Sequence, residues 1–264
     1  MNAPERLAPH ARGGLAPAQS IARVAAINWQ RVQADLNCDG YARLESLLTP
    51  TECAALAALY REDSGEDPEQ DPDSSRTFRS RVVMARHGFG RGEYRYFRYP
   101  LPELIGDLRK ALYPHLVPTA NGWNEAMGIR TRFPAHHAAF LADCRAAGQS
   151  RPTPLLLRYG PGDFNCLHQD LYGEQMFPLQ VVLLLSEPGR DFDGGQFVMT
   201  EQRPRMQSRP ILVPLRQGDG AVIAVSQRPV QGARGIYRVN LRHGVSRVHC
   251  GERFAAGIIF HDAT

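Results

Sequence analysis

No run in this chain approaches the roughly twenty apolar residues needed to cross a bilayer. Residues 1–20 also lack the compact apolar stretch of a secretory signal, so the expectation is a cytoplasmic protein with no membrane partner. Cys-x-x-Cys is absent, and the five cysteines (Cys38, Cys53, Cys144, Cys166, Cys250) are odd in number and widely scattered. That spacing argues against a disulfide framework and against a zinc site, and leaves reduced structural thiols. Internal repeats are missing as well. So is any strong charge bias: a formal net charge of +4 over 264 residues is compatible with a polyanionic partner without requiring one.

What is present is enough apolar residue, 43% of the chain, for a sizeable core. Residues 1–20, rich in Pro, Ala and Gly without periodic pattern, are expected to be a flexible leader. Residues 21–152 are expected to form an N-terminal helical region. In it, residues 40–44 form a short strand, and Thr49-Pro50-Thr51-Glu52 opens a helix with a capping box and a proline in the first turn. Periodicity of 3.6 predicts helices over 101–116, over 134–147 and, shorter, over 122–128. Residues 62–73 carry seven acidic residues, two prolines and a glycine, and are expected to be a solvated loop. The sign then reverses. Residues 76–98 hold seven arginines against one acid, Glu93, with Phe78, Phe89, Tyr94, Tyr96 and Phe97 between them.

From residue 153 the texture changes to short apolar or alternating runs bounded by Gly, Pro and Asp. Strands are expected near 155–159, 166–170, 179–185, 195–200, 211–214, 221–225, 237–248 and 253–260. Eight strands of that length suit a double-sheet jelly roll, or double-stranded β-helix. The expected class is α+β with a mainly β core over 153–264 and the helical region packed on it as one structural unit.

The chemistry starts at His168-Gln169-Asp170. On a strand, His168 and Asp170 lean to one face, and a third ligand seventy residues on would complete a set of two imidazoles and one carboxylate. That set, with open coordination positions, is the one non-haem Fe(II) oxygenases use. With nine His and 27 acidic residues, about one His-x-acid pair is expected by chance, so the pair alone is weak. The string His243-Gly-Val-Ser-Arg-Val-His-Cys-Gly-Glu-Arg253 is stronger, reading as a strand, a turn at Cys250-Gly251 and a second strand opening on Arg253. His249 and His261 compete with His243 for the third position, but neither has an arginine ten residues on. The planar fork of Arg253 can hold a carboxylate bidentately; the alternative is a surface ion pair with Glu252 or another acid. Tyr159 can add a phenolic hydrogen bond to the same carboxylate or be a packed core tyrosine.

The constellation Tyr159…His168-x-Asp170…His243…Arg253, with Asp193-Gly194-Gly195 between its halves, resembles the Fe(II)- and 2-oxoglutarate-dependent dioxygenases of the prolyl-hydroxylase-like type. The resemblance starts at Gly40-Tyr-Ala-Arg-Leu and extends to residue 262. The segments 159–174 and 237–247 are similar to a bacterial group of nucleic-acid oxygenases assigned to oxidative demethylation of damaged DNA. The resemblance implies Fe(II) on His168, Asp170 and His243, 2-oxoglutarate held by Arg253 and Tyr159, and O2 as oxidant. It also implies succinate, CO2 and formaldehyde as products. Retention of Asp170 favours hydroxylation, because related halogenases lack that carboxylate.

For the substrate, the arginines and aromatics of 76–98 suit phosphates and unpaired bases, so a single-stranded or flipped-base nucleic acid is the expected partner. Arg79, Arg81, Tyr94, Tyr96 and Tyr172 are the candidate contacts. Alternatively, the arginines pair with the acidic loop and the tyrosines are half-buried strand residues. The alternative functions are hydroxylation of a protein side chain, amino acid or small metabolite, and a non-enzymatic binding module.

Overall fold

The structure is a computed structural model that describes residues 17–62 and 77–264. The leader up to residue 16, the acidic stretch beyond Glu62 and Arg76 lie outside the described residues. Helix α1 (Pro17–Ala25) begins three residues before the expected end of the leader. Pro17 suits a first helical position. Ser20 and Val24, one turn apart, are both buried, and Arg23 binds Glu52 at 2.6 Å.

Helix α2 (Trp29–Asp39) is capped by Asn28, whose side chain accepts from Arg31 N, and is closed by Gly40 at φ 76°. The chain then enters β1 (Tyr41–Leu44) and, through the expected capping box, α3 (Pro50–Glu62). Glu52 N donates to Thr49 Oγ1 at 3.2 Å while Thr49 N donates back to the Glu52 carboxylate at 2.7 Å. Helix α4 (Glu103–Ala126) fuses the two helices expected over 101–116 and 122–128, running straight through Pro114 and Pro118. An interior proline costs about 3 kcal/mol. Burial of Ile105, Leu108, Leu112, Leu116, Ala120 and Trp123 along one face offsets it. Helix α5 (His137–Ala146) starts later than expected.

Two antiparallel sheets carry the core. The larger contains β1, β2 (Phe78–Val83), β4 (Glu93–Phe97), β5 (Leu155–Tyr159), β7 (Leu179–Leu184), β11 (Gly220–Ala224) and β15 (Arg253–Ile259). Its order is β1-β11-β7-β15-β5-β4-β2. The smaller contains β3 (Gly90–Arg91), β6 (Phe164–His168), β9 (Phe197–Gln202), β10 (Ser208–Val213) and β13 (Gly235–Val245), in the order β10-β9-β13-β6-β3. Strand β12 (Gln227–Gly232) pairs with β13, and β8 (Phe192–Gly194) with β14 (Val248–Gly251). Leu183 and Ala256 of the larger sheet and Met199 and Leu241 of the smaller join one buried cluster. Helix α4 is tied to the larger sheet by Arg109, which donates to Ile259 O at 2.8 Å and to Asp262 at 2.9 Å.

Three expectations need amending. The region before residue 152 is not simply helical: β1, β2 and β4 extend both edges of the larger sheet and β3 extends the smaller one. The strand expected over 237–248 runs from Gly235 to Val245, and a new one starts at Val248. The strand expected over 166–170 runs from Phe164 to His168, so Asp170 sits beyond its end. Among the described residues no helix is long and apolar enough to cross a membrane, and all five cysteines are free.

Candidate active site

His168 and His243 are direct register partners on neighbouring antiparallel strands β6 and β13, which brings their ring centroids to 4.3 Å. Gly244 makes this approach possible: a Cβ there would lie 2.6 Å from Asn165 O. Asp170, just past β6, places Oδ2 3.3 Å from His243 Nε2 and Oδ1 3.6 Å from His168 Nε2. One donor atom from each residue lies within 4.8 Å of the others. His168 Nδ1 lies 2.8 Å from Cys166 O, an acceptor only, so Nδ1 carries the hydrogen and the Nε2 lone pair faces the cluster. Burial, reinforced by the neighbouring His243, lowers the His168 pKa below the usual imidazole range and keeps the ring neutral. Burial alone would raise the Asp170 pKa. The hydrogen bond and charge of His243, with His168 and Gln180, overcome that and hold the carboxylate ionised. Two imidazoles and an ionised carboxylate form a donor set that fits Fe(II).

Two neighbours grip the carboxylate. Tyr172 OH donates to Asp170 Oδ1 at 2.9 Å, and Gln180 Nε2 donates to Oδ2 at 2.8 Å. Gln180 escaped the sequence reading, although it is the one polar residue in the wholly buried strand Leu179-Gln-Val-Val-Leu-Leu184, a position that needs a polar partner.

Arg253 and Tyr159 are register partners on β15 and β5. The Arg253 guanidinium lies 5.5 Å from the Tyr159 ring centroid, and the residue is 1% exposed. Its Nε and Nη1 have no hydrogen-bond partner, and burial pulls its pKa down to about 10. The ion pair with Glu252 does not form; Glu252 binds Arg158 instead, at 2.6 Å. Tyr159 is fully buried, and its hydroxyl lies 3.4 Å from Asn165 Nδ2. Arg253, Tyr159 and the three metal-ligand candidates line one cavity of about 350 Å³. A buried guanidinium with open donors in that cavity fits a carboxylate. His249 is exposed beside Asp193, and His261 is buried against Phe177 N; neither belongs to the cluster.

The expected substrate contacts divide. Tyr94 and Tyr172 line the cavity. Tyr96 stands behind them, donating to Tyr172 OH at 3.1 Å, and Arg79 lies over the Tyr96 ring at 4.5 Å while its Nε donates to Pro152 O. Arg81 is bound to Glu93 at 2.7 Å. Neither arginine lines the cavity: one is held by an aromatic face, the other by the only acid in the segment. Phe89, which the reading did not single out as a contact, does line it.

The Asp193-Gly194-Gly195 motif acquires a physical role here. Gly195 has φ +56°, and a Cβ on it would sit 2.9 Å from Arg253 Cδ and 2.9 Å from Val248 Cγ2. Gly195→Ala is therefore expected to displace the Arg253 stem and weaken binding of a dicarboxylate about tenfold, a loss near 1.4 kcal/mol, with metal affinity unchanged. Calorimetric titration of both ligands checks it; unaltered dicarboxylate affinity would mean the stem has room to move.

Residues 92–263 match the family described as "Oxygenase, catalysing oxidative methylation of damaged DNA". Two relatives from Mycobacterium tuberculosis, Uncharacterized protein MT2286 of strain CDC 1551 / Oshkosh and Uncharacterized protein Rv2227 of strain H37Rv, are each 50% identical over 167 residues. That match covers 63% of this chain and 72% of theirs. Among solved structures, an oxidoreductase of the 2OG-Fe(II) oxygenase family from Burkholderia pseudomallei is 17% identical, with a TM-score of 0.51 over 90% of this chain and 94% of its own. At that identity the likeness concerns the fold. The family match spans well over half of the sequence and includes every candidate ligand, and the chain belongs to this family of oxygenases.

Proposed function

We propose that this oxygenase removes methyl groups from alkylated DNA by oxidation, using Fe(II), 2-oxoglutarate and O2 and releasing succinate, CO2 and formaldehyde. The observation that carries the chemistry is the unpartnered, buried Arg253 in the same cavity as His168, Asp170 and His243. The sheet orders support a double-stranded β-helix: β11-β7-β15-β5 faces β10-β9-β13-β6, with the metal ligands on or beside β6 and β13 of one sheet and the arginine on β15 of the other.

In this reading His168, Asp170 and His243 hold the metal, and Arg253, with Tyr159 beside it, holds the far carboxylate of 2-oxoglutarate. When bound, metal and co-substrate supply the oxidising power. The protein does the rest. Tyr172 and Gln180 fix the Asp170 carboxylate, Cys166 O fixes the His168 tautomer, and the apolar walls Leu155, Leu157, Val182 and Ile259 exclude water. Tyr94 and Tyr172 offer rings against which a flipped base can lie. Oxygen inserted into an N-methyl C–H bond gives a hemiaminal that collapses to formaldehyde and the repaired base, so an oxidation at this site takes a methyl group away. A reducing cytoplasmic setting agrees with five free cysteines.

A second reading has its own support. Among the described residues Arg253 is the only arginine or lysine lining the cavity, which suits hydroxylation of an uncharged side chain or metabolite equally well. Formaldehyde release from single-stranded DNA carrying N-methylated bases, dependent on both Fe(II) and 2-oxoglutarate, is the expected result. No release from any methylated nucleic acid, with succinate formed alongside a small hydroxylated product, would overturn the first reading in favour of the second.

A further inference from the structure

Of the eight exposed large hydrophobic side chains among the described residues, three rim the one cavity that holds the metal-ligand cluster: Phe89 at 48%, Leu167 at 44% and Leu171 at 53%. Leu167 and Leu171 bracket His168 and Asp170 in sequence. Phe89 reaches the rim from a separate loop, and that loop is built to present it. A 3-10 turn over Met84–His87 is anchored by fully buried Met84, and Gly88 then reverses the chain at φ 71°. Phe89 N donates to Met84 O at 3.2 Å, and Phe89 O accepts from Cys166 N at 2.9 Å, clamping the loop backbone onto the strand of His168. Gly90, at φ +126°, pairs with Asn165; a Cβ there would lie 2.4 Å from Phe164 O. The backbone is thus fixed while the ring stays in solvent, stacked on His87 at 5.3 Å.

The charges around the ring are also open. Arg86, three residues before Phe89, and Arg91, two after it, are both exposed. Arg86 makes no hydrogen bond or ion pair among the described residues. Arg91 has only Asp163 at 4.0 Å. This differs from Arg79 and Arg81, which are engaged within the fold.

We propose that residues 86–91 are a reader of single-stranded nucleic acid at the mouth of the active site. Phe89 stacks on the base beside the one in the cavity, Leu167 and Leu171 complete the apolar step beneath it, and Arg86 and Arg91 engage the flanking phosphates. The proposal rests on the nucleic-acid reading above and names the surface that would select a strand over a free nucleoside. Stacking is sequence-tolerant because every base has a π-face, so the loop recognises single-strandedness rather than sequence.

The test is fluorescence anisotropy of the full chain with a labelled single-stranded DNA about twelve nucleotides long carrying one N-methylated base, a length within the range of small single-strand sites. Phe89→Ala is expected to weaken binding about tenfold, and Phe89→Trp to restore it. Arg86→Glu combined with Arg91→Glu is expected to lower the slope of log affinity against log salt by about 1.4, two phosphate contacts at about 0.7 each. All these positions are exposed or on the rim, and unchanged thermal midpoints verify that the variants fold. A wild-type protein that binds the strand while the variants bind it equally, with the same salt slope, overturns the loop assignment and leaves the demethylation reading standing. Variants that lose binding while the wild type releases no formaldehyde leave the loop assignment standing and overturn demethylation. A wild type that does not bind the strand overturns the loop assignment outright.

Discussion

Arg253→Met is expected to make the protein without co-substrate more heat-stable and to cost it its 2-oxoglutarate. The two effects have one cause. Arg253 is buried with two open nitrogens, and burial pulls its pKa down to about 10, well below the usual guanidinium range, a destabilisation of about 3 kcal/mol. Methionine fills similar space without a charge, so part of that penalty disappears. If half is recovered, the midpoint rises by about 4 °C for a chain of this size. Binding a carboxylate would otherwise compensate the guanidinium, and removing one partner of a buried charge pair costs roughly 2–5 kcal/mol, or about thirty- to several-thousand-fold in affinity. The pH dependence follows in sign. Above pH 10 the folded state sheds the Arg253 proton before the unfolded state does, so wild-type stability relative to the methionine variant rises with pH until the unfolded guanidinium also titrates. At neutral pH the full penalty is present. Calorimetry with and without 2-oxoglutarate, and denaturant unfolding at neutral pH and above pH 10, measure all three effects. A methionine variant that is less stable and binds 2-oxoglutarate normally would make Arg253 a packing residue.

The parts of this architecture that were legible in the sequence are those in which a local rule dictates the answer. The capping box at Thr49, the strand opening on Arg253 and the core strands 155–159 and 179–184 follow from caps, turn residues and apolar runs. Periodicity of 3.6 taken over short windows divides helix α4 in two, whereas a continuous buried face decides its length. Strands β2 and β4 were obscured by their arginines: β2 is at the sheet edge, where alternate positions face solvent or find ion-pair partners, and Arg81, bound to Glu93 of β4, is that case. The arginine count alone therefore did not separate the engaged members of the segment from the open ones. Whether an arginine is free depends on which acid or ring the fold places beside it, and Arg79 is engaged by residues 17 and 73 positions away. Gln180 carries no motif of its own, and the Asp193-Gly194-Gly195 motif does not name its partner. Their roles come from what stands opposite them, Asp170 and the Arg253 stem.

Asp170→Ala is expected to remove metal binding and with it all turnover, and a graded series through Tyr172 separates loss of a ligand from loss of its support. In small structural metal sites about 10–16 kcal/mol is shared among four ligands, so one ligand accounts for roughly 3–4 kcal/mol, a hundredfold to a thousandfold in affinity. Removing the carboxylate also leaves His168 and His243, at 4.3 Å between ring centroids, without the negative charge that would neutralise part of the cation. Tyr172→Phe keeps the ring that lines the cavity and deletes only the hydrogen bond to Asp170 Oδ1. Hydrogen bonds to charged groups contribute about 1.5–3 kcal/mol, and outer partners of metal ligands typically account for 10–100-fold in affinity. The expected order of Fe(II) affinity is therefore wild type, then Tyr172→Phe lower by about tenfold, then Asp170→Ala below detection. Tyr96→Phe should fall between wild type and Tyr172→Phe, because Tyr96 OH reaches the carboxylate only through Tyr172. Anaerobic Fe(II) titration reads the series without relying on turnover. An Asp170→Ala protein that binds Fe(II) as the wild type does would remove the carboxylate from the ligand set, and a Tyr172→Phe protein with wild-type affinity would show that Gln180 alone is enough to hold it.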